Sequence, residues 1–253
     1  NLSNKYYFII FLFAFLTRYL FSYLYGVDKY SVDWPRYDNF SNQILLGNFD
    51  LEVQLFIIAP LFPYCLALFK LIFYENYPLF LELFQIILSS FSVIILSKIS
   101  KIFFDNKSIE FLTGILFCFY PITIYYVSVF SQESIFQSLF IFFIYFFAKY
   151  TKEDSFYNLI FMSIFFTLSL LTKSHIQLLI PFLIFVFIYE NKRINKILFI
   201  KFLIFFSIYF ILTFPYALYN KITKDIYVIS STGYGSVVVV GNNDEFYEYL
   251  SNT

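Results

Sequence analysis

Long apolar runs separated by short polar breaks recur along most of this chain. Runs near residues 6–25, 79–103, 108–130, 133–150, 156–172, 176–190 and 197–215 reach or approach the length that crosses a bilayer, about 18 residues or more. Their apolar residues follow one another instead of alternating, which predicts helices and not the strands of a barrel. An eighth apolar piece, 55–74, is different. It contains Pro60 and Pro63, is interrupted by Lys70, and leads into Glu75-Asn76-Tyr77-Pro78. The fold class predicted is an all-α polytopic membrane protein.

The polar positions gather in a few places. The first is an island over 26–52, holding Asp28, Asp33, Asp38, Asp50 and Glu52. Its centre, Asp33-Trp34-Pro35-Arg36-Tyr37-Asp38, predicts a short helix from Asp33 to Gly47, with Pro35 in the first turn, where its missing N–H costs little. Asp33, Tyr37 and Ser41 then share one face, with Arg36 and Phe40 beside it. The second is the turn Ser131-Gln132-Glu133, the third Thr172-Lys173-Ser174-His175, and the last the tail from Tyr216 to Thr253. That tail carries a Val237–Val240 run of β-like character and ends its Gly-rich part at Asn242-Asn243.

Charge orients the spans. Cytoplasmic loops carry an excess of Lys and Arg. With the N-terminus inside and 55–74 lying on the membrane surface, Lys5, Lys98, Lys101, Lys107, Lys149, Lys152, Lys192, Arg193, Lys196 and Lys201 fall at cytoplasmic ends, ten of the seventeen basic residues. Five of the seventeen acids join them, Asp105, Glu110, Glu153, Asp154 and Glu190. If 55–74 crossed instead, the basic 191–196 loop would face outward, against the rule. The surface arrangement puts 26–78, Glu133, Lys173 and the tail on the outer face together.

Composition adds exclusions. The 253 residues are 60% hydrophobic and 13% charged with zero net charge, which argues against a nucleic-acid partner. Cys65 and Cys118 lie in separate apolar runs, so neither a disulfide framework nor a thiolate site is expected. A single histidine, His175, excludes a multi-histidine metal centre within the chain.

Several residues have the chemistry of a site, and each has a plainer reading. Asp33 is a proton acceptor or a helix cap. Glu133, in a tight turn at the membrane boundary, is a functional carboxylate or a first-turn acid. Lys173, against the charge rule, holds an anion or reaches for headgroups. Arg18, inside the first span, is a structural partner for an acid or a phosphate contact.

The order of these features resembles the GT-C membrane glycosyltransferases of the protein mannosyltransferase and aminoarabinose transferase type. The resemblance runs through Arg18, then Asp33, Tyr37, Ser41 and Gly47, then the Pro-rich Ala59-Pro60-Leu61-Phe62-Pro63-Tyr64. Tyr120-Pro121 with Ser131-Gln132-Glu133 comes next, followed by Leu170-Leu171-Thr172-Lys173, Pro215-Tyr216 and the Ser231 to Asn243 loop. Ala59 replaces a proline, and no charged residue directly precedes it as in some members; this counts against the divalent metal that some members carry, and no metal ligand is assigned.

The resemblance implies a single transmembrane transferase domain over 1–253, with a first outer loop at 26–78 carrying juxtamembrane helices, an outer polar loop at 216–253, and further C-terminal helices in the family. It implies an inverting transfer of a sugar from a polyprenyl-phosphate carrier to a lipid, glycan or protein acceptor outside a bacterial inner or plasma membrane. Asp33 is the expected base, with Glu133 as second catalytic carboxylate. Arg18, Arg36, Tyr37, Asp38, Lys173, His175, Asn242 and Asn243 are the expected substrate contacts. A transporter or flippase without transferase activity is the competing class. It predicts ionisable groups at the bilayer midplane and inverted repeats.

Overall fold

The computed structural model describes residues 2–24, 29–47, 58–191, 196–225 and 227–231. Ten α-helices occupy them: α1 Leu2–Leu24, α2 Trp34–Leu45, α3 Leu61–Phe73, α4 Tyr77–Phe104, α5 Lys107–Cys118, α6 Pro121–Ser128, α7 Gln132–Glu153, α8 Phe156–Thr172, α9 Ile180–Asn191 and α10 Lys196–Lys224. Among the described residues there is no strand, only an isolated parallel bridge between Tyr30 and Phe130. The protein is an all-α polytopic membrane protein, as its apolar pattern requires.

The helix α4 is the hub, packing against α1, α3, α5, α6 and α7. Its buried face sets five serines, Ser89, Ser90, Ser92, Ser97 and Ser100, among Leu81, Ile86, Val93 and Ile99, while Phe80, Ile87, Phe91, Phe103 and Phe104 are exposed. In a bilayer this inverted arrangement is stable, because lipid accepts the aromatics and small residues let helices approach. Several of the hydroxyls return to their own helix: Ser90 donates to the Ile86 carbonyl at 2.7 Å and Ser92 to Leu88 at 3.0 Å. A second body of packing joins α7, α8, α9 and α10 around Phe143, Phe166, Phe187 and Phe205.

The helix α3 turns back on α4. Tyr74–Asn76 form a single 3₁₀ turn, and Tyr74 takes a positive φ of 49°. The rings of Phe73 and Phe80 stack at 3.9 Å and those of Phe69 and Phe84 lie 5.3 Å apart. A continuous helix would separate the latter pair by roughly 22 Å. With 13 residues, α3 is about 20 Å long, short of the roughly 30 Å of hydrocarbon.

Other boundaries differ from the apolar runs. The run at 108–130 is two helices, α5 and α6, bent by 45°. Pro121 forces Tyr120 out of the helical region, to φ −68° and ψ 110°. The run at 176–190 begins as a 3₁₀ segment, Ser174–Leu179, before the short α9. The helix α10 continues through Pro215 to Lys224, so the polar tail expected from Tyr216 starts later. Among the described residues, Lys5–Leu24, the α4 part of Leu61–Phe104, Gln132–Glu153 and Lys196–Ile222 are long and apolar enough to cross, with the bent pair as a further candidate.

The bundle has two polar ends. At one, Ser22 and Lys29 meet Glu82, and Glu133 meets Lys173. At the other, Tyr7 and Lys101 meet Glu110, Lys152 meets the Ile102 carbonyl, and Lys201 meets Asp154.

Tight packing at Gly114 of α5 sets one prediction. A Cβ there would lie 2.5 Å from Ile10 Cδ1, 3.1 Å from Ser97 Oγ and 3.2 Å from Tyr6 Oη. Gly114→Leu is expected to cost about 1–3 kcal/mol by overpacking, read as a lower thermal midpoint in detergent.

Candidate active site

The helix α2 forms where the spacing predicts but stops at Leu45, with Leu46 as its cap and Gly47 beyond it at a φ of +64°, a conformation glycine adopts without strain. Asp33 is its N-cap residue, yet its carboxylate makes no capping bond. It accepts from Arg36 at 3.2 Å, with about half of each side chain exposed. The plainer reading of Asp33 as a cap is therefore not what the side chain does.

Tyr37, one turn on, is buried and packs edge-on against Phe62 of α3. Burial pushes its phenol well above the usual tyrosine range, the negative charges of Glu133 and Asp33 push it further, and a backbone hydrogen bond at Gln132 partly opposes them. Tyr37 thus keeps its proton and stands between two carboxylates.

Asp33, Tyr37 and Glu133 line one cavity of about 460 Å³. Its wall is completed by Tyr30, Ser31, Val32, Tyr125, Tyr126, Val129 and Ser131. The strap before α2 is tied to the end of α6: the Phe130 N–H donates to the Lys29 carbonyl at 2.7 Å, and Ser31 donates to the Phe130 carbonyl at 3.1 Å. Ser131 Oγ, buried at the head of α7, has no hydrogen-bond partner among the described residues. A buried hydroxyl without a partner costs free energy unless something enters to meet it.

Lys173, at the end of α8, donates to Glu133 at 2.8 Å, with both side chains about a quarter exposed. The two turns lie forty residues apart, and nothing in their sequences gave a sign of this pairing. His175 sits beside it, its ring 5.5 Å from Phe136. Burial and the Lys173 charge lower the imidazole below its ordinary value of 6.5.

The other expected contacts lie elsewhere. Asp38 does not line the cavity; Lys70 of α3 donates to it at 2.7 Å. Arg18 is fully buried in the bundle, donating to Ser89 Oγ at 2.8 Å, the Ala14 carbonyl at 3.1 Å, Thr123 Oγ1 at 3.4 Å and the Cys118 carbonyl at 3.5 Å. The Cys118 carbonyl closes α5, so the guanidinium complements that helix's C-terminal dipole. Asn242 and Asn243 lie outside the described residues. Among the described residues no three of His, Cys, Asp and Glu gather. The described residues do not by themselves make a divalent site.

Sequence reasoning missed Tyr125, Tyr126 and Ser131 as cavity walls and Glu82 as a buried acid. Glu82 had a readable signal, an ionisable residue early in an apolar run.

Carboxylates among tyrosines suit a polyhydroxylated ligand, whose hydroxyls need acceptors and whose ring faces need flat apolar partners. A family-model match, and not the cavity itself, makes this a membrane glycosyltransferase of the GT-C type. The chain belongs to the dolichyl-phosphate-mannose-protein mannosyltransferase family, whose model matches residues 58–219. That match takes in α3 to most of α10, with Glu133 and Lys173, and begins after α2. No curated protein and no solved structure matches the chain.

Removing the Lys173 charge is expected to raise the pKa of His175 toward 6.5, seen in the NMR titration of this single histidine in Lys173→Met. The folded pKa is the lower one, so stability is expected to fall as pH drops below 6.5 and to level off below the folded value. Lys173→Met should shrink that loss.

Proposed function

We propose that the protein moves a sugar from a polyprenyl-phosphate carrier to an acceptor hydroxyl on the outer side of the membrane, with inversion at the anomeric carbon. The observation that carries this reading is the shared cavity of Asp33, Tyr37 and Glu133, in a chain of a mannosyltransferase family. The cavity sits at the end of the bundle away from the lysines of α4 and α7, which supports an outward-facing site. On this reading 1–253 act as one transferase domain, α2 and α3 are the juxtamembrane helices of the 26–78 loop, and the chain after Lys224 is outer. The membrane would be a bacterial inner or plasma membrane.

Asp33 is the base. It is at the cavity, free of a capping bond, and held by Arg36. It takes the proton of the acceptor hydroxyl as that oxygen attacks C1 and the C1–O bond to the carrier phosphate breaks. The departing phosphate keeps the bonding electrons. An oxocarbenium-like centre attacked from the opposite face gives inversion. Arg36, paired with Asp33, and Lys173, paired with Glu133, are the cations we assign to the phosphate oxygens. Glu133 accepts from a sugar or acceptor hydroxyl, and Tyr37, protonated, donates to one. Arg18, enclosed by its four partners, serves the bundle.

Asp33→Asn is expected to lower transfer from a lipid-linked sugar by about 10²–10⁴-fold, with donor binding retained. Full activity in a correctly inserted variant would remove Asp33 as base. Orientation is checked separately: Val32→Cys, at an almost fully exposed position, should react with an impermeant thiol reagent from outside, and Lys196→Cys only after permeabilisation.

A further inference from the structure

The segment that carries Asp33 is held at two points, and both holders belong to the α3–α4 hairpin. Five residues after Asp33, Asp38 accepts from Lys70 of α3 at 2.7 Å. The same ammonium donates to Ser41 Oγ and Asn42 Oδ1, each at 2.7 Å, so its three donors are spent on one face of α2. Four residues before Asp33, Lys29 donates to Glu82 of α4 at 2.6 Å, and Ser22 donates to the other oxygen of the same carboxylate.

In each pair the hairpin residue is the buried one. Lys70 is 10% exposed and Glu82 11%, against 34% for Asp38 and 39% for Lys29. These are not loose surface pairs, whose worth is small. Leaving either buried charge unpaired is costly, so each pulls its partner into place. The two pairs also have opposite polarity: the hairpin offers a cation to the α2 side and an anion to the strap. A slipped arrangement would bring Lys29 toward Lys70 or Asp38 toward Glu82, and like charges would reject it. The strap held by Glu82 is also the one bonded to Phe130, beside the head of α7 and Glu133.

We propose that the α3–α4 hairpin fixes the base by gripping its segment at two points of opposite charge, Lys70 on Asp38 and Glu82 on Lys29, which makes Lys70 and Glu82 positioning residues. The proposal rests on Asp33 as base, and misplacing a reacting group by about 1 Å costs on the order of 10²-fold.

The test places a spin label at Val32→Cys, with Cys65 and Cys118 changed to Ser, in the full chain in detergent or nanodiscs. Lys29→Met, Glu82→Gln and Lys70→Met are each expected to loosen the label's motion and lower kcat by about 10²-fold, with the donor KM changed little. The double swap Lys29→Glu with Glu82→Lys should recover both readouts; Lys29→Met lies on the exposed strap, so it reports even if Glu82→Gln fails to fold. Folded variants with unchanged label motion, or a folded swap that rescues neither readout, would overturn the proposal. Asp33→Asn is run in parallel. If it keeps full activity while the label still loosens in the anchor variants, the base assignment fails and the two-point grip stands.

Discussion

The polar end of this bundle depends on a chain reversal of three residues. Tyr74–Asn76 turn α3 back along α4, and the stacked rings of Phe73 and Phe80 close the turn. Because of that reversal Phe62 and Leu66 of α3 pack with Leu81 of α4, Tyr37 of α2, and Phe130 and Ile135 of the α6–α7 junction in one cluster. A straight continuation would carry α3 out of that cluster and leave α2 without a floor. The positive φ at Tyr74, uncommon for a side chain of that size, is the local cost of the turn.

That cluster explains how the carboxylates come together although their sequence positions are remote. Asp33 arrives on a surface helix and Glu133 on the first turn of a spanning one. Tyr37 is buried against Phe62 and kept protonated first by that burial and then by the negative charges of Glu133 and Asp33. Tyr37 is the member of this cluster that also lines the cavity, and so ties the aromatic floor to the carboxylates.

Much of the fold was legible because lipid imposes a simple rule: a run of apolar residues long enough to cross must be helical. The helices α1, α4, α7 and α10 follow directly. The hidden break was in 108–130, where apolarity is continuous but Pro121 stops the helix at Tyr120. Apolarity reports burial in lipid and is blind to a backbone turn made within it. At the site, Asp33 and Tyr37 were readable from local spacing, and Glu133 and Lys173 from their shared face. The partners of Asp38 and Lys29 were not, since Lys70 and Glu82 are 32 and 53 residues away and nothing local encodes the contact. Lys70 looked like a flaw in an apolar run; its three acceptors on α2 account for it.

The bend between α5 and α6 bears on how the chain enters the membrane. A broken helix leaves carbonyls that hydrocarbon cannot pair. Here the Cys118 carbonyl at the bend is met by Thr17 and Arg18, and at the far end of α6 the Val127 and Val129 carbonyls are met by the Gln85 amide. All three donors belong to α1 and α4, which are synthesised before the bend. The chain order thus sets the donors for these carbonyls ahead of the segment that needs them.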